Sequence, residues 1–304
     1  TTFFRSPYYT KWSLGVQRQL PKEMLLDVSY VASRGAHLVR TRDINQPVAS
    51  VAVANGSVNP NAARPFPGFA GISTYETTGN SIYHSMQVSA TRRLSKGFAF
   101  QGSYTFSRSI DNNVTPLNAY ADSRMDRALS TFDRTHILAL SYVYELPFFR
   151  DASSGLARRV LGGWQISGIN RFESGLPLTV TVPGDRAGIG GGGQRPDIAG
   201  PITMDRTLAR WFNTGAFANP ALGAFGNAGR SLVRAPGINN WDVSFIKATQ
   251  VKERVALQFR AEFFNLFNHT QWAGVNTSFG AAAFGQVTSA RDPRITQLGL
   301  RLLF

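Results

Sequence analysis

The sequence predicts an all-β fold, an antiparallel membrane-barrel wall of about nine or ten strands with long loops at one end. Three observations carry that reading. Apolar and polar residues alternate with a period of two in one segment after another, tight and long connections alternate between those segments, and no stretch is apolar enough to form a membrane helix.

The alternation is plainest between Arg294 and Phe304, where Leu298, Leu300, Leu302 and Phe304 share one face and Gln297, Gly299 and Arg301 the other. Successive side chains of a strand point to opposite faces, so one face can meet hydrocarbon while the other meets water. The pattern recurs. Trp12, Leu14 and Val16 oppose Ser13, Gly15 and Gln17, and Met24, Leu26, Val28 and Tyr30 oppose Asp27 and Ser29. Phe98, Phe100, Tyr104 and Phe106 form a third apolar row, and Leu138, Leu140, Tyr142, Tyr144 and Leu146 a fourth. Val255, Leu257, Phe259, Ala261 and Phe263 face away from Gln258, Arg260 and Glu262. Acids and arginines on the polar side need water there.

Strands are expected at about 10–20, 23–33, 81–94, 97–109, 133–147, 159–174, 240–250, 253–266 and 294–304. Pro21-Lys22-Glu23, Ser95-Lys96-Gly97 and Val251-Lys252 make tight links, and 151–158 a longer one. The long segments 34–80, 110–132, 175–239 and 267–293 are expected as outer loops, since barrels of this kind place short turns at one end and long loops at the other. Leu176 to Val182 could add a strand and change the parity of the count. An odd count implies further strands before Thr1. The Gly- and Pro-rich stretch from Pro183 to Pro201, with four glycines at 190–193, reads as a mobile loop, and Leu208 to Phe212 as a short helical turn.

Composition narrows the function. Apolar residues make up 43% and charged residues 16%, and 22 phenylalanines against 4 methionines suit an apolar belt diluted by a wet lining. With no cysteine there is no disulfide framework, thiol nucleophile or cysteine metal site. The net charge of +14 is spread in single residues and pairs beside turns, such as Arg92/Arg93 and Arg158/Arg159. That suits lipid phosphates or a charged lumen better than nucleic acid. Thr1 to Thr10 has no signal-peptide pattern. The glycine run lacks the Gly-Lys-Ser/Thr of a phosphate loop, and no Gly-x-Ser-x-Gly elbow is present, so no catalytic residue is expected. His37, His84, His136 and His269 show no metal spacing, and neither a metal nor a cofactor is expected. Asp111, Asn112, Asn113, Asp122 and Asp126 lack the spacing of a calcium loop and read as solvated loop residues.

The segments WSLGVQRQLPKEMLLDVSYVASRGAHL (12–38), YHSMQVSATRRLSKGFAFQGSYTFSRSID (83–111), STFDRTHILALSYVYELPF (130–148), GGWQISGINRFESGLPLTV (162–180) and QFRAEFFNLFNHT (258–270) resemble the C-terminal barrel half of Oar-like TonB-dependent outer-membrane receptors. The resemblance implies that residues 1–304 are the C-terminal part of a roughly 22-stranded barrel in the bacterial outer membrane. It implies import of an extracellular ligand, driven by the TonB system through a plug that these residues do not show. It also implies partnership with the barrel-assembly machinery and with outer-membrane lipid or lipopolysaccharide. A stand-alone pore or adhesin barrel, and a soluble basic β protein binding nucleic acid or polysaccharide, are the alternatives.

Particular residues follow from these faces. Gln258, Arg260, Glu262, Gln297 and Arg301 are lumen candidates, with wall-bracing ion pairs preferred to ligand contacts. Tyr30, Tyr104, Tyr142, Tyr144 and Trp241 lie on apolar faces and read as a lipid-interface girdle. By the resemblance, Leu300, Leu302 and Phe304 read as a signal for barrel assembly.

Overall fold

The computed structural model describes residues 4–121, 123–148, 155, 160–191, 193–252 and 254–304. Among them nine long strands form one antiparallel sheet: β1 (Tyr8–Leu20), β2 (Met24–Asp43), β3 (Ser73–Ser95), β4 (Phe98–Asp111), β5 (His136–Glu145), β6 (Trp164–Glu173), β7 (Ile238–Lys252), β8 (Val255–Phe264) and β9 (Ile295–Leu303). Each pairs with its neighbour in chain order, and the two-residue strand Ala128–Leu129 joins the upper end of β4. Among the described residues no ladder links β1 to β9, so the sheet is an open wall with two free edges.

Local chemistry sets the meander. Lys22 and Glu23 hold φ of 64° and 57°, and Lys96 and Gly97 hold 52° and 77°; such left-handed pairs reverse a strand with the twist a hairpin needs. The link expected at Val251-Lys252 lies one step later. Here β7 runs to Lys252, with a register shift between Gln250 and Lys252, and β8 returns at Val255. The expected 151–158 link falls mostly outside the described residues. At the opposite end the strands are joined through 44–72, 112–135, 174–237 and 265–294.

Directly paired residues share a face, so the register reads the two faces off. One row runs Leu14, Tyr30, Met86, Phe106, His136, and the next Val16, Val28, Val88, Tyr104, Leu138, Phe172. Phe98, Tyr144, Ile166, Phe245, Ala261 and Leu298 continue the same face. The opposite face carries Gln17, Asp27, Ser89, Ser103, Ala139, Arg171 and Asn240 in a single row. The Phe and Leu rows do not interdigitate in a dry centre: Leu14, Leu298 and Leu300 are 74%, 68% and 69% exposed.

Instead, the apolar core lies in the long connections. Val180, Trp211, Phe212, Ala216, Phe217 and Val233 are buried together, with Trp272, Phe279 and Phe284 packed against them. The Phe212 ring meets Phe217 and Phe284 edge-on at 5.9 and 5.4 Å. Two-residue ladders, Pro177–Leu178 with Val233–Arg234 and Asp197–Ile198 with Phe217–Ala218, pin this cap.

Several sequence expectations change here. Strand structure extends through 34–43 and 73–80, beyond the expected ends of β2 and β3. Register shifts at Gly35/Leu38 and Leu38/Arg40 break the alternation there, which hides these extensions from a period-two reading. Leu176 to Val182 contributes only Pro177–Leu178 rather than a long strand, and Leu208 to Phe212 is a series of bends, not a helical turn. Within the Gly- and Pro-rich stretch, residues 187–189 and 194–196 are buried, whereas Gly190, Gly191 and Gly193 are exposed. Asp185 accepts hydrogen bonds from the backbone N–H groups of Ile189 and Gly190 at 2.9 and 2.6 Å, and Gln194 is fully buried.

Candidate ligand site among the outer loops

The extended ends of β2, β3 and β4 carry charged residues into the cap, where the long connections supply opposite charges. Arg40 on β2 donates to Glu76 on β3 at 3.0 Å and to the Asn112 carbonyl at 3.0 Å. Its other guanidinium nitrogen lies 3.9 Å from Asp126. Arg42 reaches the second Glu76 oxygen at 2.6 Å. Asp126, at the end of the 3-10 turn Ser123–Asp126, also takes Arg195 at 3.3 Å. Arg230 donates to the Asp126 carbonyl at 2.9 Å and to the Asp111 carboxylate at 2.8 Å. Connections 112–135 and 174–237 are thereby clamped to the ends of β2, β3 and β4 by charges that, Arg42 apart, are almost wholly buried.

Buried charges persist only when paired, and their environment shifts their titration. Burial pushes the Asp126 carboxyl above the usual aspartate range, against the opposing pull of Arg195, Arg40 and Arg230. The same desolvation pulls Arg195 below the usual arginine range. Asp111 and Asp126 are therefore not solvated loop residues as the sequence suggested; their partners lie far away along the chain. Asp122 lies outside the described residues.

Beside this clamp opens a cavity of about 440 Å³, lined by Asp43, Gln46, Arg64, Asp126, Arg195 and Arg230 among others. Gln46 is fixed on both sides, donating to the Leu117 carbonyl at 2.9 Å and accepting from the Ala119 N–H at 2.8 Å. The Tyr120 hydroxyl donates to the Gln46 carbonyl, and burial with the nearby Asp43 charge raises its pKa. Arg64 donates to the Asn45 carbonyl at 2.5 Å and stands 3.7 Å from Asp43. Guanidinium groups in a polar cleft suit a ligand rich in acceptor oxygens. Among the described residues no group of three or more His, Asp or Glu is placed to hold a metal ion.

The lumen candidates lie elsewhere, along the polar face of β8 and β9, from Gln258 and Arg301 near the short link to Glu262 and Gln297 near the 265–294 connection. Gln258 pairs with Arg301, Arg260 with Gly299 and Glu262 with Gln297 across the ladder, all on the polar face. Arg260 and Glu262 form an ion pair of 3.2 Å along their own strand. Glu262 also borders a groove of about 610 Å³ on the sheet, together with Gln101, Ser141, Ser167, Asp242 and Ser244.

The girdle candidates all occupy the apolar face. The Tyr30 hydroxyl lies 2.6 Å from His84 Nδ1, and Tyr104 pairs likewise with His136 at 2.8 Å. Tyr142 covers Gly168, Tyr144 meets Phe98 edge-on at 5.8 Å, and Trp241 sits edge-on to Phe172 and Phe267. Leu300 and Leu302 are exposed on the free edge strand β9, and Phe304, just beyond it, is 99% exposed. Sequence reasoning missed the clamp and the cavity because no local spacing announces them.

Solved structures share this architecture at low identity. The chain is similar to the outer membrane transporter YddB from Escherichia coli, with 10% identity and a TM-score of 0.51 over 99% of this chain and 33% of that one. The ferric-catecholate import receptor Fiu from E. coli K12 gives 14% identity and a TM-score of 0.48, over 99% of this chain and 28% of the other. The chain thus spans about a third of the length of the solved structures it matches. Among curated proteins none matches the sequence. The outer membrane beta barrel domain family matches residues 1–297, so the chain belongs to that family and resides in the bacterial outer membrane.

Proposed function

We propose that this chain is wall and outer-loop cap of an Oar-like TonB-dependent receptor, which binds a ligand outside the cell and imports it with energy from the TonB system. The observation that carries the reading is the open, two-faced wall joined to a packed cap with its own polar cavity. In lipid the backbone groups along the free edges of β1 and β9 must be satisfied, so further strands are expected to complete a larger barrel. A bore of that size takes a plug, and the plug is what TonB would pull. The likeness to YddB, an outer membrane transporter, supports the fold of such a wall.

The residues divide accordingly. The cavity by Arg64, Arg195 and Arg230 receives the ligand, and the row of Gln258, Arg260, Glu262, Gln297 and Arg301 lines the bore. Tyr30, Tyr104, Tyr142, Tyr144 and Trp241 anchor the wall at the lipid interfaces. Leu300, Leu302 and Phe304, beside an unpaired edge, offer the surface that barrel-assembly machinery would grip. No enzymatic step is assigned.

The test uses the full-length protein extracted from outer membranes. A plugged receptor gives no steady conductance in planar bilayers and is retained by the immobilised periplasmic domain of TonB. A steady channel with no TonB retention would instead identify a stand-alone pore.

A further inference from the structure

We propose that Arg34, His84 and Arg108 form a site for the phosphate groups of an anionic glycolipid in the outer leaflet. The register places all three on the outward, lipid-facing side of the wall. Thr10, Arg34, Ile82 and Ile110 make one cross-strand row, and Trp12, Ala32, His84 and Arg108 the row below it. Below these, the row Leu14, Tyr30, Met86, Phe106, His136 begins the apolar band. From Met24 to Arg34, at roughly 3.4 Å per residue and a tilt of about 40°, the outward face rises about 26 Å, matching the roughly 25 Å apolar band of such barrels. Arg34 and Arg108 therefore stand where acyl chains give way to headgroups.

The charge balance there differs from that of the clamp. In the cap, Arg40, Arg42, Arg195 and Arg230 each hold a carboxylate. Arg34 and Arg108 are exposed, and among the described residues neither has an ion-pair partner. No carboxylate stands in the three rows just named. Guanidinium groups at the edge of hydrocarbon call for an anion, and phosphate oxygens fit their fork geometry. His84 sits on β3 between the two arginines, and two strand spacings separate β2 from β4 by roughly 10 Å, within reach of two arginine side chains converging on one phosphate. In the tautomer in which the Tyr30 phenol donates to Nδ1, His84 holds its proton on Nε2 and offers a third donor. Trp12, edge-on to His84 at 6.2 Å, supplies an apolar wall beside it.

The inference does not depend on transport, only on the wall spanning the outer membrane. It is tested by extracting the full-length protein and its Arg34→Gln/Arg108→Gln variant in mild detergent and quantifying bound lipid by native mass spectrometry. The probes are bisphosphorylated lipid A, dephosphorylated lipid A, phosphatidylglycerol and inorganic phosphate. Wild type should hold bisphosphorylated lipid A roughly 30-fold more tightly than the variant, at about one interfacial charge interaction per arginine. Dephosphorylated lipid A should bind both proteins equally weakly, and Arg34→Lys/Arg108→Lys should keep most of the affinity. Equal binding by wild type and the Gln variant overturns the site. So does equal binding of phosphorylated and dephosphorylated lipid A to wild type, a comparison that stands even if the Gln variant fails to fold. Displacement of the glycolipid by equimolar phosphatidylglycerol or inorganic phosphate would overturn the glycolipid as its occupant.

Discussion

Replacing Asp126 by alanine should loosen the outer loops without unfolding the wall. The Asp126 side chain is 7% exposed, and its loss affects its two partners unequally. Arg40 keeps Glu76 and the Asn112 carbonyl, both at 3.0 Å. Arg195, 8% exposed, keeps only the Met125 carbonyl at 3.4 Å, with its Nε already unbonded. The penalty of an uncompensated buried charge therefore falls on Arg195. Breaking one side of such a pair costs about 3–5 kcal/mol, and the exposure left to Arg195 points to the lower end, about 3 kcal/mol. Local opening should then become roughly 150-fold more frequent, since about 1.4 kcal/mol is a factor of ten. Hydrogen exchange of the full-length protein in detergent reads this directly. Amides in 112–135 and 174–237 should exchange about two orders of magnitude faster, while β4 to β8 stay protected. A double variant, Asp126→Ala/Arg195→Leu, should recover most of the loss, because it leaves no charge orphaned. A change below threefold, or one confined to 112–135, would refute the idea that Asp126 ties the two connections together.

Four further outcomes follow from the same geometry. Raising the pH through the window just above the ordinary aspartate range should lower cap stability, because the folded state, with its raised Asp126 pKa, holds a proton the opened loop releases; Asp126→Asn should flatten that dependence in pH-resolved hydrogen exchange. Phe212→Ala removes a fully buried ring and should cost the cap about 3–5 kcal/mol, read as faster loop proteolysis with unchanged heat-modifiable migration of the barrel. In Gly175→Ala the new Cβ would fall on the Ala235 carbonyl oxygen, so the backbone joining β6 to the cap must shift, and protease sensitivity should rise near 175 and 235. Leu140→Arg on the lipid face should destabilise the wall by about 2–4 kcal/mol in urea unfolding from vesicles, whereas Ser141→Arg on the bore face should change stability little.

The wall was legible in the sequence because a sheet that is greasy on one side and wet on the other writes its period into every strand. All nine long strands fall where that period and the turn residues place them. Legibility ends where the constraint ends. Above the lipid, β2 and β3 continue through 34–43 and 73–80, but there Arg40 and Glu76 turn inward to each other and the alternation dissolves. The cap core draws on Val180, Trp211, Phe212, Phe217 and Val233, separated by bends and two-residue ladders, so no periodicity marks it. The ionic clamp is hidden for a different reason. Arg230 and Asp111 meet across 119 residues, and only the folded cap brings them together. Glycine content is silent on contacts: Gly190 donates to Asp185 and lies against Pro60, partners that no local spacing marks.

The central claim is that this sheet separates lipid from a wet bore, and the absence of cysteine from the chain allows a direct test. Single cysteines placed in turn from Phe100 to Phe106 on β4, in full-length protein reconstituted into vesicles, would be probed with a water-soluble maleimide and with lipid-borne spin labels. The account predicts maleimide reaction at 101, 103 and 105 and lipid contact at 100, 104 and 106. The reversed pattern, or reaction with no period of two, would contradict it.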